Sequence, residues 1–546
     1  QVDPCGRRSR DSPRLMFDPV RLELLWTRLV SIVDEAAAAL LRSSFSTVVR
    51  ESHDFGCVLT DANGHSVVQA TDSVPSFLCT LPTTIRHFLR EYPPETLEPG
   101  DILITNDIWM GTGHLPDITV AKPIFRAGRL VAFAGSVAHS PDIGGRIRSA
   151  EARDVFEEGL QIPPMKAVAA GVPDATLMRL LRRNTRVPDQ VLGDLHAQFA
   201  ALDLMERRVL ALLEEHELPD LAGLAEEIQS RSERATRAAI AAVPDGVYRA
   251  TVQTDGLEQP LTLQLALTVA GDSIVADYAG SDPQVARAIN VCLAYTFAYT
   301  AFAVKAALCP AVPNNEGSFR PLTVTAPEGC ILNSTHPAAG GARALTGHFL
   351  PALVLSALAD ALPDRVVAGV GSPLWCLGFS GFREDGKPIA NALFLNGGYG
   401  ASSGRDGAHV LSWPSNVSSA SVETIEQTAP WRVRFRRLRQ GTGGAGTHRG
   451  GNGQETLYES RSSQPIAVTF LAERTQENSA APGLAGGLSG APGAVIIDGV
   501  KVDPKRQHIV GPGGTVEMRT PGGGGHGEPS LRDAALTQAD HLDGYV

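Results

Sequence analysis

The chain has 546 residues, 43% apolar and 20% charged, with a formal net charge of −11. At about 100–200 residues per domain that describes a globular protein of two to four domains and excludes a disordered chain. The acidity argues against nucleic acid or an anionic membrane as partner, because clustered Lys and Arg hold both; the seven cysteines are odd in number and form no CxxC pair, unlike a disulfide framework or a zinc knuckle, so a reducing cytoplasm is the expected compartment.

Residues 1–15 carry basic side chains with no apolar run behind them, so they are not a signal peptide; they read as a non-native or disordered leader, with Met16 as the natural beginning. From Asp18 to about Thr47 apolar residues recur at helical spacing, which predicts a long amphipathic helix. CVLTDANGHSVVQA (57–70) reads as a hairpin turning at 61–64, and ILITND, DITVAKPIF and RLVAFAGSVAH follow as strand-like runs. Residues 190–240 return to helix. From about 246 to 420, strands (TLQLALTV, SIVADYAG) mix with apolar helices near 290–309 and 345–362. The stretch 294–308, broken by Tyr295, Thr296, Tyr299, Thr300 and Lys305, is a buried helix rather than a membrane span. Beyond 421 lie GTGGAGTHRGGNG and PGGGGHGEP. Neither opens a helix with Lys-Ser/Thr or fits GxGxxG, so both are expected to be tight turns rather than phosphate loops. The expected fold is α+β and multi-domain, mixing helix with antiparallel sheet, its C-terminal part β-rich and glycine-rich. The domains are expected at 16–245, carrying the site, 246–420 and 421–546.

The most informative stretch is 106–146. A two-residue turn at Ala127-Gly128 pairs its flanks antiparallel, placing Asp117 opposite Ala138 and Pro116 opposite His139. His114 and Asp142 then gather at the same end. Two imidazoles and one or two carboxylates suit a borderline divalent ion such as zinc, and three ligands leave a position open for chemistry; the alternative is that both histidines merely cap strands. Glu51 and Asp54, in RESHDFGCVLTD between the first helix and the first strand, are candidate catalytic carboxylates if the fold brings them to the metal, and otherwise form a solvated junction. Glu151, Asp154, Glu157 and Glu158 border the site mouth or a solvated helix face.

DFGCVLTD (54–61), NDIWMGTGHLPDIT (106–119), AHSPDIGGR (138–146), EEGLQIPP (157–164), RRNTRVPDQVLGDLHAQ (182–198), DYAGSDPQ (277–284), NNEGSFRPLTV (314–324), GTGGAGTHRGGNG (441–453) and GGGGHGEP (522–529) occur in this order. With these motifs, from Met16 to Pro529, the chain resembles the hydantoinase B/oxoprolinase family, which is related to acetone and acetophenone carboxylase subunits. The resemblance implies metal ligands at His114, Asp117 and His139, and a catalytic carboxylate at Asp54. In much of that family the stretch equivalent to 71–82 carries histidines; here Asp72, Ser73 and Ser76 stand there instead, a departure that falls on the substrate pocket more than on the metal site.

The resemblance further implies a divided enzyme. An A-type partner of the ATPase fold binds ATP and phosphorylates a small cyclic amide (a hydantoin, N-methylhydantoin, 5-oxoproline or a lactam), and this B-type chain completes hydrolysis with zinc, manganese or iron. The expected assembly is a hetero-oligomer with a homodimeric core. The alternatives are a subunit of an ATP-dependent acetone/acetophenone-type carboxylase and a non-catalytic scaffold whose metal only holds its hairpin.

Overall fold

The computed structural model describes residues 17–146, 148–383 and 385–546; the expected leader at 1–15 lies outside them. The first helix runs Pro19–Ser43, shorter than its apolar pattern suggested. It starts where Asp18 Oδ2 accepts the amides of Val20 and Arg21 and a proline fills the first turn. Leu22, Leu25, Leu29, Ile32, Val33, Ala36 and Leu40 form its buried stripe, which packs on the helix Pro188–Glu215.

These two helices cover one face of a seven-stranded antiparallel sheet. Its strands are β1 (Phe55–Asp61), β2 (Ser66–Gln69), β3 (Ile102–Thr105), β4 (Asp117–Arg126), β5 (Arg129–His139), β6 (Met165–Ala169) and β7 (Val172–Pro173), in the order β2-β1-β5-β4-β3-β6-β7. The helix Phe77–Glu91 lies against the other face. With helices on both sides, β4 and β5 are buried along nearly their whole length, so they read as apolar runs rather than alternating patterns. Pro82 stands inside Phe77–Glu91 and its ring cannot donate to Leu78 O; the Gln69 side-chain amide donates there instead, so the helix continues where the sequence suggests a stop.

Glycine at 128 and Ala127 both take positive φ, 76° and 49°, which closes the β4–β5 hairpin in two residues as expected. A bulge between Ile124 and Phe125 then shifts the register by one residue, so Asp117 faces His139 directly rather than Ala138. The shift puts both side chains on one face of the sheet.

The strands Gly246–Thr254, Leu261–Ala270, Ser273–Asp277 and Leu322–Thr325 form a second sheet, with the last pair parallel. Its companion helix Leu293–Leu308 is buried between Phe77–Glu91 and Leu350–Ala357. Trp375–Phe382 and Pro388–Leu395 join Ile466–Leu471 and His508–Val510 in a third sheet, so strand pairing runs across residue 420. A fourth sheet of five strands spans 431–519.

The glycine runs turn, as expected, but most of their glycines serve to pack backbone on backbone. Residues 443–453, which double back so that Gly450 N–H donates to Gly444 O (2.9 Å), and 521–527 lie against one another and against 398–401: Gly444 N–H donates to Gly523 O (2.8 Å), Gly523 N–H to Gly451 O (2.9 Å) and Ala401 N–H to Gly524 O (3.0 Å). A Cβ on Gly398, Gly450, Gly451 or Gly523 would overlap a neighbouring carbonyl oxygen. Glycine is required there because backbone lies directly on backbone.

Candidate metal centre

Three adjacent strands, β1, β5 and β4, end at one edge of the first sheet. The pairing Phe55↔Ala138 puts Asp54 beside His139, whose N–H donates to Asp54 O (3.0 Å), and Asp117↔His139 completes the row. His114 arrives from the loop before β4. Asn106 holds that loop, its Nδ2 donating to Leu115 O (2.8 Å) and Leu160 O (3.0 Å) while its Oδ1 accepts Ile162 N–H (2.6 Å). Gly113 sits at φ 85°, and a Cβ there would lie 2.9 Å from Arg343 Cδ, so the turn that delivers His114 needs glycine twice over.

The ligand atoms of His114, Asp117 and His139 all lie within 4.8 Å of one another, and all three residues are buried. Asp117 Oδ1 is 2.7 Å from His114 Nε2 and 2.9 Å from His139 Nδ1, while Oδ2 accepts Arg343 Nη2 at 2.8 Å. His114 Nε2 is fully buried and makes no hydrogen bond, although Asp117 Oδ1 stands 2.7 Å away. A buried nitrogen without a proton partner, facing a carboxylate oxygen and a second imidazole, fits a borderline divalent cation.

Asp54 belongs to the same cluster, with Oδ2 3.9 Å from His139 Nδ1 and 3.6 Å from Arg148 Nη2. Arg148, at φ 35°, lays its guanidinium over Phe394 and donates through Nη2 to His139 Nε2 at 2.8 Å. Arg343 stacks on Tyr295 and also donates to Thr112 O. Behind them, His348 Nδ1 accepts Leu374 N–H (3.2 Å), so its other nitrogen carries the proton that faces the Tyr299 hydroxyl at 3.1 Å.

Burial pushes His114 and His139 down to about 4, helped by Arg343 on the first and Arg148 on the second, so both imidazoles are neutral, the form that binds metal. Burial would raise Asp117, but His114 and Arg343 outweigh it and hold this carboxyl well below its usual range. Asp54 is raised by burial, against the pull of His139.

Two candidate residues stand elsewhere. Asp142 does not join the cluster: Oδ1 accepts Arg186 Nη1 (2.6 Å) and Gly144 N–H (3.0 Å), and Oδ2 accepts the Arg186 amide. Glu51, after the short helix Thr47–Arg50, points to Arg50 Nη2 at 3.5 Å and is partly exposed. Asp72 pairs with His53 on the surface (3.1 Å), Ser76 approaches the Tyr299 hydroxyl, and Ser73 lines a cavity of about 340 Å³ with Thr71, Phe302, Lys305 and Trp413. The sequence reading missed Arg148, Arg343, Tyr295, Tyr299 and His348. One signal was there: Tyr295 and Tyr299, four apart, form a polar stripe on an otherwise apolar helix.

A buried His-Asp-His cluster on an antiparallel sheet, backed by two arginines and a second carboxylate, Asp54, is a candidate metal centre. The family model for hydantoinase B/oxoprolinase matches residues 18–529, and the chain belongs to that family. It is 29% identical over 97% of its length to 93% of a protein of Pseudomonas sp. (strain NS671) provisionally named as the B-subunit of a D-/L-hydantoinase. The crystal structure of ATP-dependent caprolactamase from Pseudomonas jessenii superposes with a TM-score of 0.86 at 26% identity, covering 97% of this chain and 95% of that one. Nucleotide-free acetone carboxylase gives 0.87 at 19% identity, over 97% and 78%, a likeness of fold. Among the described residues no helix is long and apolar enough to cross a membrane.

Proposed function

We propose that the chain is the metal-dependent B-type subunit of an ATP-dependent cyclic amide hydrolase, acting on a hydantoin, N-methylhydantoin, 5-oxoproline or lactam ring together with an ATPase-fold A-type partner that binds the ATP. The observation that carries this reading is the buried His114–Asp117–His139 cluster with Asp54 Oδ2 3.9 Å from His139 Nδ1. The 95% share of the caprolactamase chain that is covered, against 78% for acetone carboxylase, supports the hydrolase branch over the carboxylase. A hetero-oligomer with a homodimeric core, in the cytoplasm, completes the proposal.

His114, Asp117 and His139 would hold the ion. A zinc, manganese or iron ion so held would polarise the substrate carbonyl as a Lewis acid and acidify water. Arg343 fixes Asp117 by taking one of its two oxygens, which leaves the other turned to the histidines. Asp54 would take a proton from the attacking water, a reading supported by its Oδ2 lying 3.9 Å from His139 Nδ1. Arg148 and Arg343 oppose the negative charge that a phosphorylated substrate and its oxyanion bring into a closed site, and low water content strengthens that effect. The cavity of about 340 Å³ beside Ser73 has the volume of a pocket for a small ring.

The test is co-expression with an A-type partner and assay of ring opening with hydantoin, 5-oxoproline and caprolactam. Turnover is expected only with both chains, ATP and a divalent ion. Ring opening by this chain alone without ATP overturns the division of labour, and bicarbonate fixation into a ketone by the pair moves the chain to the carboxylase branch.

A further inference from the structure

Of the four carboxylates in the 149–158 run, the fold turns only Glu158 fully inward. Glu151 accepts Gln507 N–H, Asp154 caps the short turn 155–157, and Glu157 pairs with Arg146 and Arg153. Glu158 instead meets the metal centre from behind. Its Oε1 accepts Gly341 N–H at 2.5 Å, and the carbonyl of the same glycine lies 3.4 Å from His114 Nδ1. A Cβ on residue 341 would stand 2.8 Å from Oε1, so the carboxyl group lies flat on this glycine. Its other oxygen, Oε2, is fully buried and makes no hydrogen bond.

The base of Glu158 is tied to the other histidine. Its backbone packs against Gly145, where a Cβ would come to 2.5 Å of the Glu158 carbonyl, and Leu160 N–H donates to Ile143 O. Residues 143–145 belong to the loop that leaves β5 just after His139. The side chain therefore spans from the loop behind one histidine to the glycine behind the other.

A neutral imidazole carries one proton, and the partner of one ring nitrogen decides the role of the other. With Nδ1–H directed at Gly341 O, the lone pair of His114 is on Nε2, the nitrogen that stands 2.7 Å from Asp117 Oδ1 without a hydrogen bond. We propose that Glu158 is a positioning residue of the metal centre: by pinning Gly341 it keeps the Gly341 carbonyl on His114 Nδ1 and so presents Nε2 for coordination, without itself touching the ion. This rests on the reading of His114, Asp117 and His139 as a metal site.

The test is zinc binding by the purified chain, measured by competition with a chelator, in the wild type, Glu158→Gln and Glu158→Ala. It is joined by ¹⁵N-histidine NMR of the metal-free proteins, which reads which nitrogen of His114 is protonated. Glu158→Ala is expected to weaken zinc binding by about 10–100-fold, the range for partners that orient ligands, and to give His114 a mixture of tautomers. Glu158→Gln keeps an oxygen for Gly341 N–H and is expected within about 3-fold of wild type, the usual scale on which an uncharged acceptor still serves. A purely structural Glu158 would lower the melting temperature and leave the tautomer and the zinc affinity as they were; that result, or equal losses in both variants, overturns the proposal. If Glu158→Ala does not fold, Glu158→Asp, whose carboxyl stops one methylene short of Gly341, takes its place with the same expected loss. Failure of the wild type to bind zinc counts against the metal site itself, and the tautomer measurement still decides the role of Glu158.

Discussion

The strand ends carrying Asp54, Asp117 and His139 and the glycine chains around residue 523 are both buried meeting points of several segments, held by opposite means. At the first, a regular ladder fixes the backbone and side chains converge from it. At the second, backbone bonds to backbone directly where glycine leaves no Cβ, and the side chains of Arg449 and Asn452 lie beside it, paired with Asp540 and with the amides of Thr442 and Gly443. The first arrangement turns its titratable groups inward on one another, while in the second the glycine backbones make the contact and the charged groups beside them, Arg449 and Arg532 with Asp406 and Asp540, are neutralised in ion pairs.

The strongest test of that division removes the convergent side chains. The double variant His114→Ala/His139→Ala is expected to carry no bound divalent ion by elemental analysis and to show no ring opening in the assembled complex, while remaining folded. Undiminished metal in this variant would break the assignment of the centre. Asp54→Asn, nearly isosteric, is expected to lower kcat by about 10²–10⁴-fold with metal content and melting temperature nearly unchanged, as for loss of a placed base. Full activity with a lowered melting point would make Asp54 a structural cap.

The glycine region answers to a different measurement. In Gly523→Ala the new methyl overlaps the Tyr399 carbonyl, and the backbone cannot yield without breaking bonds to neighbouring chains, so we expect a loss above about 3 kcal/mol in denaturant titration, the range of severe packing faults. Gly128→Ala, at the hairpin turn, meets nothing within 4 Å and bears only the strain of its positive φ, about 1–2 kcal/mol. Equal losses in the two variants would mean that the glycine chains are looser than their contacts imply.

The two regions also differ in what the sequence discloses. The hairpin is legible because its turn is local: Ala127-Gly128 sets the pairing, and the pairing brings together residues some 22 positions apart. Only the bulge at Ile124/Phe125 escapes, since nothing in the residue types marks it. The helix through Pro82 is hidden because the acceptor it frees is satisfied by Gln69, from another strand. Arg343 is hidden for the same reason, and so is what sets Glu158 apart from its three neighbouring carboxylates: each works through a partner far along the chain, Asp117 for one and Gly341 for the other. The glycine runs disclose their turns but not their backbone-to-backbone packing, because both require a missing Cβ and the local sequence does not distinguish them.

The last expected effect, at most about 2 kcal/mol between pH 7.5 and pH 5, separates the regions by pH. Burial, with Arg343 and Arg148 adding to it, drives His348 down to about 3, whereas the unfolded side chain titrates near 6.5. Between those values the unfolded chain binds a proton that the folded protein refuses, so this residue's contribution is fully present above about pH 6.5 and is lost as pH falls, by at most about 1.4 kcal/mol per unit. In the metal-free protein, His348→Gln removes that loss while its amide can still meet Leu374 N–H and the Tyr299 hydroxyl. Urea titrations at pH 7.5 and pH 5 are therefore expected to show wild type losing more stability on acidification than His348→Gln. The deficit of Gly523→Ala, whose contacts contain no titratable group, is expected to be the same at both values. A His348→Gln protein that weakens in parallel with wild type would show that the imidazole takes up its proton in the folded state, and that the wall behind Tyr299 is open enough to hydrate a charge.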